Sequence, residues 1–137
     1  MSLYTRLAGA TVLVAAAFPA SADTWRLSSM MTPDSFEGQA YQKFADLVEE
    51  YTDGDIDVRI YPNEQIGSMD SVVEQLSQNV IQLAPSGISF MSRWEEGITY
   101  AAAPFLFDDY DHWSNFVNGE LFQSWLETVE EEANIAI

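Results

Sequence analysis

The sequence predicts an α/β fold on parallel strands, and three observations carry that expectation. Stretches with apolar residues at every second position alternate with stretches where they recur every three or four. The joints between them are marked by Gly, Pro, Asn and Asp. The order is strand, helix, strand, helix, strand, and strands joined through helices of this length run parallel with right-handed crossovers.

A leader precedes the first strand. Met1–Leu7 carries one basic residue, Arg6, and the run Ala8–Phe18 is almost wholly apolar and small. Pro19 and Ala20-Ser21-Ala22 follow, ahead of Asp23. A basic start, a short apolar run and a small-x-small exit form a secretory signal peptide. The apolar run is about half of the roughly 20 residues a membrane-crossing helix needs, so a cleaved leader is favoured over an anchor. Residues 1–22 are therefore expected to be removed on export, leaving a periplasmic chain from Asp23.

Thr24–Ser29 reads as the first strand, with Trp25 and Leu27 on one face and Arg26 and Ser28 on the other. Asp34 or Ser35 then caps a helix, and Glu37 in its first turn suits the dipole. Phe36, Ala40, Tyr41, Phe44, Ala45, Val48 and Tyr51 give that helix one apolar face. Asp53-Gly54-Asp55 ends it. Ile56–Tyr61 alternates strictly, with Ile56, Val58 and Ile60 inward, and Pro62 closes the strand. Ser68 or Ser71 opens the next helix, the latter through a capping box with Glu74, and Val72, Val73, Leu76 and Val80 form its buried face. Ile81–Ala84 is expected as a third strand, cut by Pro85-Ser86-Gly87.

Beyond Gly87 the pattern loosens. Ile88–Trp94 reads as a short helix and Ala101–Phe107 as an apolar extended run around Pro104. Asp108 or Asp109 caps a helix with Trp113, Phe116 and Val117 inward, ended by Gly119. Leu121, Phe122, Trp125, Leu126 and Val129 mark another, closing on Glu130-Glu131-Glu132, whose carboxylates oppose the helix dipole and should be solvated. Ala133–Ile137 reads as the beginning of a strand, which suggests a chain truncated at its C-terminus.

The charge balance narrows the partners. There are 22 acidic against 5 basic residues, a net charge of −17. Such a surface repels nucleic acid and anionic lipid, so neither is an expected partner, and no direct membrane insertion is expected once the leader is gone. A solvated acidic surface in a salt-rich environment is the simplest explanation. The chain has no cysteine, which removes disulfides, thiolate metal sites and a cysteine nucleophile.

Chemistry is thin along this chain. His112 is the sole histidine, beside Asp111 on a helix surface, and no serine has the Gly-x-Ser-x-Gly setting of a nucleophile elbow. Asp53, Asp55 and Asp57 have the alternate spacing of a calcium loop, but its glycine and distant glutamate are misplaced. No phosphate cradle is present, and no catalytic residue, metal site or cofactor is expected. Binding is the better reading. In open parallel sheets ligands sit beyond the carboxyl ends of the strands. Here those ends offer Ser28 and Ser29 after the first strand and Ser86 and Gly87 after the third, with Phe90 as a candidate wall. At each position an ordinary loop residue is the competing reading.

Several segments together resemble the solute-binding proteins of TRAP (tripartite ATP-independent periplasmic) transporters of the dicarboxylate-binding type. Phe44-Ala45-Asp46-Leu47-Val48-Glu49-Glu50 and Ile56-Asp57-Val58-Arg59-Ile60 lead into Tyr61-Pro62-Asn63-Glu64-Gln65-Ile66-Gly67, similar to the family's helix, strand and loop. Glu74-Gln75-Leu76, Ala103-Pro104-Phe105-Leu106-Phe107 with Asp109 and His112, and Gly119-Glu120-Leu121 continue the likeness across residues 24–137. The resemblance implies a periplasmic-binding-protein-like clamshell of which residues 23–137 form the first lobe. It also implies capture of a small organic acid for delivery to TRAP permease subunits driven by an ion gradient. Ligand contacts from this lobe would fall at Ser28, Ser29, Ser86 and Gly87, with Phe90 nearby, and the arginine that pairs with the ligand carboxylate would lie beyond Ile137. Two rival classes are the binding protein of an ABC importer and a small exported hydrolase. The Pro62–Gly67 and Pro104–Phe107 pair weighs against the first, and the missing nucleophile–base pair against the second.

Overall fold

The computed structural model describes residues 22–137. The leader assigned to residues 1–22 lies outside the described residues, apart from Ala22. No described helix is long and apolar enough to cross a membrane.

Two strands and the helix between them form the first unit. β1 (Asp23–Ser28) pairs parallel with β2 (Ile56–Tyr61), in a register from Asp23↔Ile56 to Ser28↔Tyr61. The crossover between them is α1 (Phe36–Tyr51). Ser35 is its N-cap, the Ser35 Oγ accepting the Gly38 N–H at 3.0 Å. The chain leaves α1 through left-handed Asp53 and Gly54, which fits a turn and not a calcium loop. Leu27, Ala45 and Val58 are buried at the centre of this unit, with Trp25, Tyr41, Val48 and Ile60 packed on them. The expected apolar face of α1 is only partly covered: Phe36, Ala40, Phe44 and Tyr51 are exposed.

The third strand contracts to one parallel bridge, Leu27↔Leu83. Leu83 donates to the Arg26 carbonyl and accepts from the Ser28 N–H, both at 3.0 Å. A longer strand is prevented upstream. The chain leaving the preceding helix, α2 (Met69–Ser77), turns through left-handed Asn79, and the Val80 N–H still bonds back to the Gln75 carbonyl at 2.8 Å. The Arg26 N–H therefore finds the Gln82 side chain, its Oε1 accepting at 2.9 Å where a strand would offer a carbonyl.

α2 begins one turn before the expected capping box. Ser68 is its N-cap, without a side-chain bond, and Ser71 lies inside the helix, its Oγ accepting from Gln75 Nε2. Met69, Val72 and Val73 are buried, whereas Val80, past the helix end, is exposed. They join Ile81, Met91, Ile98, Phe122, Val129, Ala133 and Ile135 in a second, larger core.

The second half of the chain wraps this core. Ile88–Met91 and Glu96–Ala102 are short 3₁₀ helices, so part of the run expected to be extended is helical. The Ala101 carbonyl at its end accepts the Trp113 indole N–H at 2.9 Å. Past Pro104 the chain turns at left-handed Phe105, and both Phe105 and Leu106 are exposed. α3 (Tyr110–Val117) is capped by Asp109, which accepts the His112 N–H at 2.8 Å. α4 (Glu120–Ala133) buries Phe122, Val129 and Ala133 and leaves Leu121 exposed. Phe116, Phe122 and Trp125 stack around its first turns. The strand expected over Ala133–Ile137 does not form. Ala133 closes α4, left-handed Asn134 caps it by donating to the Glu130 carbonyl, and Ile135 drops into the core.

Candidate functional site

Parallel β1, β2 and the Leu83 bridge place three carboxyl ends along one edge of the sheet. Two of the loops leaving that edge are tied together. The Ser29 N–H donates to the Tyr61 carbonyl, the Glu64 N–H to the Ser29 carbonyl, and the Asn63 N–H to the Met31 carbonyl, at 3.0–3.2 Å. Asn63 and Glu64 reach these acceptors through consecutive left-handed conformations, which asparagine tolerates better than glutamate.

Ser28 and Ser29 sit inside this knot, 1% and 2% exposed. Ser28 holds the Leu83 bridge through its N–H. The Ser29 Oγ accepts the Met31 N–H at 2.9 Å, which leaves its own hydroxyl proton to give. Ser29 also lines a pocket of about 290 Å³, together with Met31, Tyr41, Gln39, Gln42 and Ile60.

Ser86 and Gly87 are exposed on the third loop. Ser86 borders a different, mostly apolar pocket of about 580 Å³ with Leu83, Ile88, Met91, Phe44 and Tyr41. Tyr41 is thus shared by the two pockets. Gly87 caps the 3₁₀ helix Ile88–Met91, its carbonyl accepting the Phe90 N–H at 3.1 Å. Phe90 packs, half-buried, on the larger core and lines neither pocket. The edge therefore brings Ser29 to one pocket and Ser86 to the other.

Sequence reasoning missed Gln39, Tyr41 and Gln42. Gln39 and Gln42 stand three residues apart on α1, a spacing that puts them on one side of a helix. That polar pair beside an apolar stripe, one crossover after the first strand, was the available signal. Gln39 Nε2 donates to the Asp34 carbonyl and Gln42 Nε2 to the Asp46 carboxylate.

The arginines among the described residues point elsewhere. The Arg26 guanidinium donates to the Val80 carbonyl, at the opposite end of the third segment from Ser86. Arg59 pairs with Asp57, two residues back along β2, and Arg93 lies over the Trp94 ring. His112 is exposed beside Asp108, Nδ1 to Oδ2 3.4 Å, and remote in sequence from both pockets' linings.

The profile described as "Bacterial extracellular solute-binding protein, family 7" matches residues 27–137. The C4-dicarboxylate-binding periplasmic protein DctP of Rhodobacter capsulatus is 33% identical over 128 residues, covering 90% of this chain and 38% of that protein. The TRAP periplasmic solute-binding protein of Sulfurospirillum deleyianum, solved with bound succinate, superposes with a TM-score of 0.69 at 24% identity, covering 82% of this chain and 36% of its own. The one from Sulfitobacter sp. NAS-14.1, solved with bound β-D-galacturonate, gives 0.68 at 20% identity, over 80% of this chain and 37% of its own. At those identities the two structures establish the shared fold alone. The chain thus spans under two fifths of the length of these relatives. With the profile running from the end of β1 through β2, the tied loops and all four α-helices, the chain belongs to the bacterial extracellular solute-binding proteins of family 7.

Proposed function

We propose that this chain is the part of a TRAP transporter's extracytoplasmic solute-binding component that contributes one wall of the ligand site. The captured solute is a small organic acid, handed to TRAP permease subunits for uptake driven by an ion gradient. The observation that carries this reading is the family match over residues 27–137 coinciding with a pocketed carboxyl edge, where parallel sheets hold ligands. Ser29 and Ser86 contribute hydroxyls at that edge, Ser28 and Gly87 shape it through their backbones, and Phe90 stiffens the loop from behind. The acids bound in the two solved relatives, succinate and galacturonate, support the ligand class. Export follows from residues 1–22 acting as a leader cleaved after Ala22.

One experiment addresses both parts. The protein is expressed with its leader, recovered from the periplasm and weighed intact by native mass spectrometry, alone and with a panel of carboxylic acids. The expected masses begin at Asp23 and gain an acid from the panel. A chain retaining Met1 on membranes refutes the export assignment, and adducts with neutral controls that exceed those with every acid of the panel refute the ligand class.

A further inference from the structure

We infer that removal of the leader after Ala22 is itself a step in building the fold: it turns the Asp23 nitrogen into an ammonium that fastens β1 to the acidic end of α1 and the turn behind it. The inference rests on the cleavage reading above and gives the product of that cleavage a role. It starts from the one atom of the mature chain that cleavage changes. The Asp23 N–H donates to the Asp55 carbonyl at 2.8 Å, and Ala22, on the other side of the scissile bond, is exposed. Hydrolysis adds water across that bond. The Ala22 carbonyl carbon takes the oxygen and leaves as a carboxylate, while the Asp23 nitrogen keeps the electron pair and takes up protons. An amide donor becomes a cationic one, and hydrogen bonds from charged donors are roughly twice as strong as neutral ones.

The place this cation occupies is short of positive charge. α1 carries Glu49 and Glu50 in its last turn and no basic residue, although the C-terminal end of a helix favours cations. The turn that follows adds Asp53 and Asp55, and β2 adds Asp57. The arginines of the two strands are engaged, Arg59 with Asp57 at 3.0 Å and Arg26 with the Val80 carbonyl at 3.2 Å. On its other side Asp23 shares a cleft with Asn79, Gln82 and Asn134, and no other lining residue of that cleft is charged. The acceptor is also held ready. After left-handed Asp53 and Gly54, the Asp55 N–H donates to the Thr52 carbonyl at 2.9 Å and the Ile56 N–H to the Thr52 Oγ1 at 3.2 Å. The peptide unit that carries the Asp55 carbonyl is thus fixed at its own N–H and at the one before it.

The test uses the mature chain released from a carrier so that it begins at Asp23 whatever the cell's own processing does. Lys43 is the sole lysine, so Lys43→Arg leaves the Asp23 α-amine as the only amine for acetic anhydride to block. The acetyl carbonyl then stands in for that of Ala22, and the Asp23 N–H is neutral again. Melting is compared at about pH 6.5 and about pH 10, below and above the ordinary α-amino pKa of about 7.7–8.0. A cation stabilised by folding has its pKa raised, so its contribution is full below the unfolded value and fades as pH rises through the folded one. Acetylation should therefore lower the midpoint by about 2–4 °C at the lower pH and leave it unchanged at the higher. Equal midpoints at the lower pH overturn the inference, and so does a drop that persists at the higher pH, which would belong to the acetyl group and not to the charge. Lys43→Gln removes an exposed cation from α1 and should lower the midpoint by less than half as much. An equal drop overturns the inference by assigning the effect to net charge alone. The cleavage reading fails separately, through a periplasmic mass that begins at a residue other than Asp23.

Discussion

Gly38 shows how a single residue is dictated by its neighbours. A Cβ built there would lie 2.1 Å from the Thr32 carbonyl oxygen and 2.9 Å from that of Pro33. Both are backbone atoms of the loop that carries the chain from β1 into α1, so neither yields as a flexible side chain would. Glycine inside a helix ordinarily weakens it, and replacement by alanine gains about 1 kcal/mol. Here the sign should invert. Gly38→Ala is expected to cost about 1–3 kcal/mol, the range for overpacking a tight site, read as a fall in the urea midpoint with an unchanged slope. A more stable variant would show that the loop moves freely, and that the Ser29 pocket it borders is less fixed than the structure implies. Sequence alone offered Gly38 no role, because the close approach comes from residues 32 and 33 folding back over the helix start. Ser29 was legible as a residue at a strand end. Its use as an acceptor for the Met31 N–H was not, since that depends on how the loop turns.

At the scale of elements, the crossover β1–α1–β2 was legible nearly to the residue. Strict alternation over Ile56–Tyr61 and the Ser35 cap are local signals, and local signals survive folding. The third strand was not legible. Ile81–Ala84 has strand composition, but its pairing depends on where α2 releases the chain, and left-handed Asn79 releases it late. The Gln82 side chain repairs the gap by accepting the Arg26 N–H. Gln82→Leu keeps the volume and removes the acceptor. The Arg26 amide should then exchange with solvent roughly fivefold faster, matching about 1 kcal/mol for one hydrogen bond. Amides of β1 that face β2 should keep their protection. Unchanged exchange at Arg26 would mean that a backbone carbonyl or water serves as well, and that the side-chain bond contributes nothing to holding the sheet edge. The Ala133–Ile137 strand failed for a different reason. Its β-branched residues satisfy a strand pattern, but Ile135 is buried by dropping into the larger core, and burial of an apolar side chain outweighs a propensity worth tenths of a kcal/mol.

Over the whole molecule, the strongest influence that no single contact describes is charge. The sequence carries −17, yet among the described residues the only carboxylate paired with an arginine or lysine is Asp57, with Arg59, while Asp108 lies beside His112, and all four side chains are at least 45% exposed. Pairs so exposed contribute little to stability. The other carboxylates repel one another across a surface with few cations, and folding brings them closer than they stand in the extended chain. Added salt should therefore stabilise the fold. The Debye length falls from about 30 Å at 0.01 M to 3 Å at 1 M, from the breadth of a small domain to less than the spacing of neighbouring side chains. Relieving about 1 kcal/mol of self-repulsion would raise the melting temperature by roughly 4–8 °C in a domain near 100 residues. Melting is to be followed by circular dichroism from 0.01 to 1 M sodium chloride, with most of the rise below 0.2 M if screening is the cause. A rise that appears only near 1 M, and is larger in sulfate than in chloride, would instead mark salting-out of apolar surface. The exposed Phe36, Phe105 and Tyr51 side chains are the groups that would respond to that second effect. A midpoint that does not move at all would show the carboxylates to be far enough apart to ignore one another, and the acidity would then owe nothing to the stability of the fold in salt.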